Sequence, residues 1–255
     1  MKLTDTHTHI YYHANSTELD AQINRCLDNN ISRLFLPNVD LKSIDLIMET
    51  VSAFPNYCFP MLGLHPCSVQ EDFHSVLNEI EKAIAITKIY AIGEIGLDLY
   101  WDKSTLPLQQ EAFKLQIEWA KSFDLPIVIH CRDAFDELFS ILEELKGEKL
   151  RGIFHCFTGN LEQAKRAIDY GFYLGIGGVV TFKNAGLDKV VQKIDLQHIV
   201  LETDAPYLAP APFRGKANES SYLTYIAQRV ADLHQVSTEE VARITTQNSV
   251  NIFGV

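Results

Sequence analysis

Leu3-Thr4-Asp5-Thr6-His7-Thr8-His9 lies almost at the start of the chain, and its reading decides the fold. As a strand it places His7 and His9 on one face, with Asp5 below them, because strand side chains alternate with period two. Two imidazoles held in that way can converge on one cation. A single His-x-His pair is common in ordinary surface strands. The reading therefore depends on whether later strands end in the same kind of side chain.

They do, and they recur at regular intervals. Apolar, β-branched runs occur at 3–9, 32–38, 58–64, 89–94, 126–131, 152–156, 172–177 and 198–204. Their Ile, Val, Leu and Phe content is that of parallel strands buried on both faces. Amphipathic stretches at 17–29, 41–53, 71–87, 107–123, 133–146, 160–170 and 184–194 separate them, and two more follow at 219–235 and 238–253. In the fourth, Phe113, Ile117 and Ala120 share a helical face and Pro107 suits a first turn. Ser237-Thr238-Glu239-Glu240 is spelled as a capping box. Eight strands alternating with helices, without a linker, predict an α/β fold: one (β/α)8 TIM barrel over residues 1–255. A doubly wound open sheet is the alternative that periodicity leaves open.

Composition narrows the class. The chain has 255 residues, 47% of them hydrophobic and 22% charged, as in a water-soluble globular protein. No apolar run approaches the roughly 18 residues of a spanning helix, so no membrane association is expected. Met1-Lys2-Leu3 leads straight into a strand, without the apolar region of a signal peptide, which predicts a cytoplasmic protein. Cys26, Cys58, Cys67, Cys131 and Cys156 are odd in number and contain no C-x-x-C pair, so small buried thiols are expected. The net charge of −11 excludes a general nucleic-acid coat protein but not an enzyme that meets phosphates through bound cations.

The polar residues that end the runs carry the chemistry. In such a barrel the catalytic groups stand at the carboxyl ends of the strands. There the sequence places His7 and His9, His65, Glu94, His130, His155 and Asp204. His7, His9, Glu94, His130, His155 and Asp204 form a set suited to divalent metals, and six ligands are too many for one open catalytic ion. Two ions about 3.5–4 Å apart, sharing one carboxylate, suit them better. Glu94 is the natural bridge, with His7, His9 and Asp204 on one ion and His130 and His155 on the other. Asp204 is the candidate base for an activated water. Glu202 is placed one layer deeper, as a hydrogen-bonding support.

Several stretches carry a resemblance to a known family. These are Asp5-Thr-His7-Thr-His9, Gly63-Leu-His65-Pro66, Gly93-Glu94-Ile-Gly96-Leu-Asp98 and Pro126-Ile-Val-Ile-His130-Cys-Arg132-Asp133-Ala134. His155-Cys-Phe157-Thr-Gly159, Glu202-Thr-Asp204-Ala-Pro206, Arg214-Gly-Lys216-Ala-Asn218-Glu219 and Asn248-Ser-Val-Asn-Ile-Phe253-Gly continue the series. In this order the chain resembles the TatD-type metal-dependent deoxyribonucleases over nearly its whole length. The resemblance implies a metal-dependent TIM-barrel hydrolase, often a 3′–5′ exonuclease on single-stranded DNA, and its ligand positions match the six residues above. Tyr11, where family members often carry an acidic residue, and Ser220, where a Pro is common, depart from the pattern. Neither is expected to touch a ligand, so both are expected to bear on substrate fit.

For a phosphodiester substrate, His65, Arg132, Arg214 and Lys216 are the candidate contacts. Tyr11, Tyr12, Phe157, Phe182 and Tyr207 offer faces for unpaired bases, and Gly175-Ile-Gly177-Gly178 is read as room for a ligand. DNA, in single-stranded form, is thus the expected partner, and no obligatory protein partner is evident. Histidine-rich ligation favours Zn, Mn or Co, whereas the family's activity implies Mg. The competing function is hydrolysis of a small-molecule amide, ester or lactone, as in amidohydrolases. Many of those bridge their metals with a carboxylated lysine from strand 4, where this chain has Glu94. A non-enzymatic metal-binding module fits an open constellation poorly.

Overall fold

The computed structural model describes residues 2–255. Among them, eight parallel strands follow one another: β1 (Leu3–Asp5), β2 (Ile31–Pro37), β3 (Cys58–Met61), β4 (Ile92–Asp98), β5 (Ile127–Arg132), β6 (Gly152–Phe154), β7 (Phe172–Ile176) and β8 (Ile199–Leu201). The helices that alternate with them are α1 (Thr17–Asp28), α2 (Leu41–Ala53), α3 (Phe73–Ile86), α4 (Leu106–Phe123), α5 (Phe135–Leu145), α6 (Leu161–Asp169) and α7 (Leu187–Val191). The chain finishes with α8 (Leu223–His234) and α9 (Thr238–Phe253).

Strands β1 to β3 form one ladder and β4 to β8 another. Individual backbone bonds close both seams. Gly93 N–H donates to Leu62 O at 2.9 Å between β3 and β4, and Thr6 N–H donates to Leu201 O at 3.0 Å between β1 and β8. The order is thus a closed ring, not an open sheet, and the chain is a TIM barrel.

Alternation along the strands separates floor from mouth. Phe35, Met61, Val128, Ile153 and Val200 pack together on the floor, and Phe253 of α9 stacks on Phe35 at 3.8 Å. Two residues further up the same strands stand His130, His155 and Glu202, facing the same way by the period of two. An apolar plug thus lies beneath a polar mouth. No helix among the described residues is long and apolar enough to cross a membrane.

Strand 4 departs from expectation. It begins at Ile92 and runs on to Asp98, with its register shifted between Gly93 and Ile95, so Glu94 lies within the strand and Asp98 ends it. β1 is shorter than the 3–9 run, yet Thr8 N–H still donates to Phe35 O at 3.0 Å. Segment 6–9 therefore stays clamped between β2 and β8.

Candidate metal centre

The centre is organised by the two oxygens of Glu94, a carboxylate buried to 2% exposure. Its Oε2 faces one group, 3.2 Å from His7 Nε2 and 3.9 Å from His9 Nε2. Its Oε1 faces another, 2.8 Å from His130 Nδ1, 3.1 Å from His155 Nε2 and 3.4 Å from His65 Nε2. Asp204 Oδ1 joins the first group, 3.4 Å from His9 Nε2 and 3.8 Å from His7 Nε2. Asp204, Cys156 and Asp133 all have positive φ, and each lies at or just after a polar strand end. Such backbone is sparsely populated outside glycine and here turns the chain sharply at the mouth.

Hydrogen bonds fix the orientation of His9, His65, His130 and His155. The Tyr11 hydroxyl donates its one proton to Pro37 O at 2.8 Å, so towards His9 Nδ1, also at 2.8 Å, it can only accept. His9 Nδ1 therefore carries the hydrogen and Nε2 presents its lone pair. His155 Nδ1 lies 3.1 Å from Glu202 Oε1, and His130 Nε2 lies 2.9 Å from Asp98 Oδ2. Such contacts are of the kind that orients an imidazole able to ligate a metal. His65 is different: its Nδ1 accepts from Cys67 N–H at 3.1 Å, so its Nε2 carries the proton and faces Glu94 as a donor.

The donor set fits divalent ions. Both ring nitrogens of His7 are fully buried without a hydrogen bond, and burial pushes its pKa down, so the ring is neutral. A buried neutral nitrogen facing two carboxylates is satisfied by a cation between them. Three sets have ligand atoms within 4.8 Å of one another: His7, His155 and Asp204; His7, His9 and Glu94; and His65, Glu94 and His130. Burial alone would raise Glu94, yet His155, His65 and His7 hold it well below the usual carboxylate range. Burial likewise opposes ionisation of Asp204, but the His9 contact and the neighbouring imidazoles keep its pKa lowered.

Other expectations need correcting. Tyr11 is fully buried and bonds His9, so it bears on the centre rather than on a substrate. Phe157 is buried as well, and neither ring is open for stacking. Ser220 Oγ donates to Thr8 Oγ1 at 2.9 Å and ties the last loop to the first strand's end. Gly175 leaves room not for a ligand but for Glu202, whose Oε2 would lie 2.2 Å from an added Cβ. Gly178 is similarly filled, by Leu208 O. Arg214 and Lys216 are exposed; Arg214 lies over Phe182 at 3.8 Å, and among the described residues no contact joins either to the centre. Asp98 was given no role from the sequence, although its place in the Gly93-Glu94-Ile-Gly96-Leu-Asp98 stretch that carries the resemblance was a signal.

Known proteins are similar to this chain over almost its whole length. The family model described as TatD related DNase matches residues 4–254. The "uncharacterized metal-dependent hydrolase YabD" of Bacillus subtilis is 40% identical over 254 residues, 99% of each chain. The "3'-5' ssDNA/RNA exonuclease TatD" of Yersinia pseudotuberculosis is 32% identical over 238 residues, 91% of each. The crystal structure of the TatD homologue YJJV of Escherichia coli superposes with a TM-score of 0.93 at 26% identity, covering 99% of this chain and 98% of that one. The chain belongs to the TatD family of metal-dependent hydrolases.

Proposed function

We propose that the protein is a metal-dependent deoxyribonuclease that hydrolyses phosphodiesters of single-stranded DNA, as a 3′–5′ exonuclease acting in the cytoplasm. The observation that carries the reading is Glu94, one oxygen of which faces His7 and His9 and the other His130 and His155. A carboxylate presented in that way suits the bridge between two ions, with Asp204 completing the first group. His7, His9, Glu94, Asp204, His130 and His155 would hold two divalent ions (Mg, Mn, Zn or Co), which would supply Lewis-acid stabilisation of phosphate charge and bring the ionisation of water near neutral pH.

The chain's own residues do the rest. Asp204, kept ionised by His9 and its neighbours, takes the proton of the attacking water. His65 holds its Nε2–H towards Glu94 Oε1 at the substrate side of the centre, and Arg132 at the end of β5 offers its N–H fork to a phosphate. Arg214 and Lys216, exposed in the β8–α8 loop, meet phosphates further along the strand. The Yersinia relative's name supports a nucleic-acid substrate.

The test uses single-stranded DNA labelled at the 3′ or the 5′ end, incubated with each metal beside a panel of amides, esters and lactones. Metal-dependent release of 3′-terminal nucleotides is expected. It should fall by about 10²–10⁴-fold in Asp204→Asn, the range for loss of a general base. Turnover of an amide or lactone without DNA cleavage would assign the centre to the amidohydrolase reading instead.

A further inference from the structure

Beside the Glu94 centre lies a shelf of exposed rings. Tyr100 and Trp101, in the short loop between β4 and α4, are 53% and 73% exposed and meet edge to face at 4.9 Å. The Arg132 guanidinium lies over the Tyr100 ring at 3.6 Å and within 5.7 Å of the Trp101 ring. An exposed apolar side chain by itself means little. Two aromatic faces packed against a cation at a catalytic mouth are a different matter, because that is the composition of a nucleotide-binding platform.

The shelf is fixed to the centre through one residue. Tyr100 N–H donates to Asp98 Oδ1 at 2.9 Å, while Asp98 Oδ2 holds His130 Nε2 at 2.9 Å. Gln109 at the start of α4 donates to Asp98 O at 3.0 Å and accepts Asp98 N–H at 2.9 Å, which anchors the loop from the helix side. The rings therefore stand at a set distance from His130. Beyond them a cleft of about 650 Å³ opens between the β5–α5 and β6–α6 loops, lined by Arg132, Thr158 and Asn160 and by Asp133, Asp136 and Glu137. Those three acids repel phosphates. Arg132 is then the place for a phosphate, and the rings and cleft are left for an uncharged base and its sugar.

We propose that Tyr100, Trp101 and Arg132 form a subsite for one unpaired nucleotide adjacent to the scissile phosphate, with the base stacked on Trp101 and the phosphate held by Arg132. This rests on the nuclease reading and sharpens it: the substrate must present an unstacked base, which a duplex does not.

Trp101 and Trp119 are the two tryptophans, so Trp119→Phe makes Trp101 the reporter. That variant, without metal, is titrated with a thymidine oligonucleotide and with an abasic strand of equal length and charge. Saturable quenching by the thymidine strand is expected, with the abasic strand about tenfold weaker. With metal, Trp101→Ala should raise KM for the thymidine strand about tenfold, leave kcat nearly unchanged and leave abasic cleavage as it was. Equal quenching by both strands, or a Trp101→Ala enzyme with unaltered KM, overturns the subsite. Base-dependent quenching with no nucleotide released under any metal overturns the nuclease reading alone. Released nucleotides with indifference to the base overturn the subsite alone.

Discussion

At the residue scale, Tyr11 carries the least expected role. A hydroxyl has one proton, and Tyr11 gives it to Pro37 O, which leaves its oxygen to accept from His9 Nδ1. Tyr11→Phe removes that acceptor and frees the imidazole to change tautomer. Loss of such an outer contact weakens metal binding about 10- to 100-fold. Calorimetric titration with Mn or Zn should show the loss on one of two ions, and imidazole 15N shifts should show a mixed His9 tautomer without metal. Wild-type affinity for both ions would remove Tyr11 from the centre. The thiols give a second residue-scale expectation. Burial pushes the Cys58 and Cys131 thiols up to about 12, whereas an ordinary thiol titrates near 8.5. Cys67 is exposed. Among the five cysteines, Cys67 should react rapidly with Ellman's reagent at pH 8 and the others only on unfolding; two fast thiols in the folded protein would contradict this.

At the element scale, strand 4 shows where local pattern fails. The run Gly93-Glu94-Ile95-Gly96 has poor strand propensity, so a reading from composition stops at Glu94. The structure continues to Asp98 because β5 lies alongside and supplies the pairing, with Leu97 opposite Cys131 and Asp98 opposite Arg132. The histidine ends of the other strands were legible together, since His7, His9, His130 and His155 recur at the same end of successive strands, although each taken singly has an ordinary structural reading. The tautomers were not, because the acceptors that set them lie far off in sequence: Pro37 for Tyr11, Asp98 for His130 and Glu202 for His155. Gly96 makes the extended strand possible. Its φ is +143°, and an added Cβ would lie 2.0 Å from His130 O. Gly96→Ala must therefore push β5 away together with His130. We expect a fall in thermal midpoint of roughly 5 °C or more, from a cost of about 2 kcal/mol or above. An unchanged midpoint would mean that β4 yields freely.

At the scale of the whole molecule, the barrel was readable because every strand needs the same burial and every helix the same apolar stripe, so the alternation repeats. Periodicity alone left closure open, since closure rests on single backbone bonds such as Thr6 N–H to Leu201 O; the count of eight strands and the order of the motifs carried the barrel reading. Closure brings β1, β4, β5, β6 and β8 around one point, and the charges gathered there link folding, protons and metal. Burial lowers the pKa of His155, but Glu94 and Glu202 outweigh it and raise it well above the ordinary value of 6.5. Asp98 and Glu94 outweigh burial for His130 in the same direction. Groups raised by folding add stability that is complete below pH 6.5 and is lost as pH rises through their folded values. The metal-free protein should therefore lose stability on the alkaline side of pH 6.5. Ions require neutral imidazoles and release those protons on binding, so their affinity rises over the same interval. An ion at 100 times its Kd adds about 2.7 kcal/mol, roughly 5–10 °C in a chain of this size. Melting curves with and without Mn or Zn should diverge progressively from pH 6 to pH 8. Glu94→Gln, which lacks the charge that both groups face, should abolish the divergence. A metal-induced shift of equal size at both pH values, or one that survives in Glu94→Gln, would place the ions elsewhere.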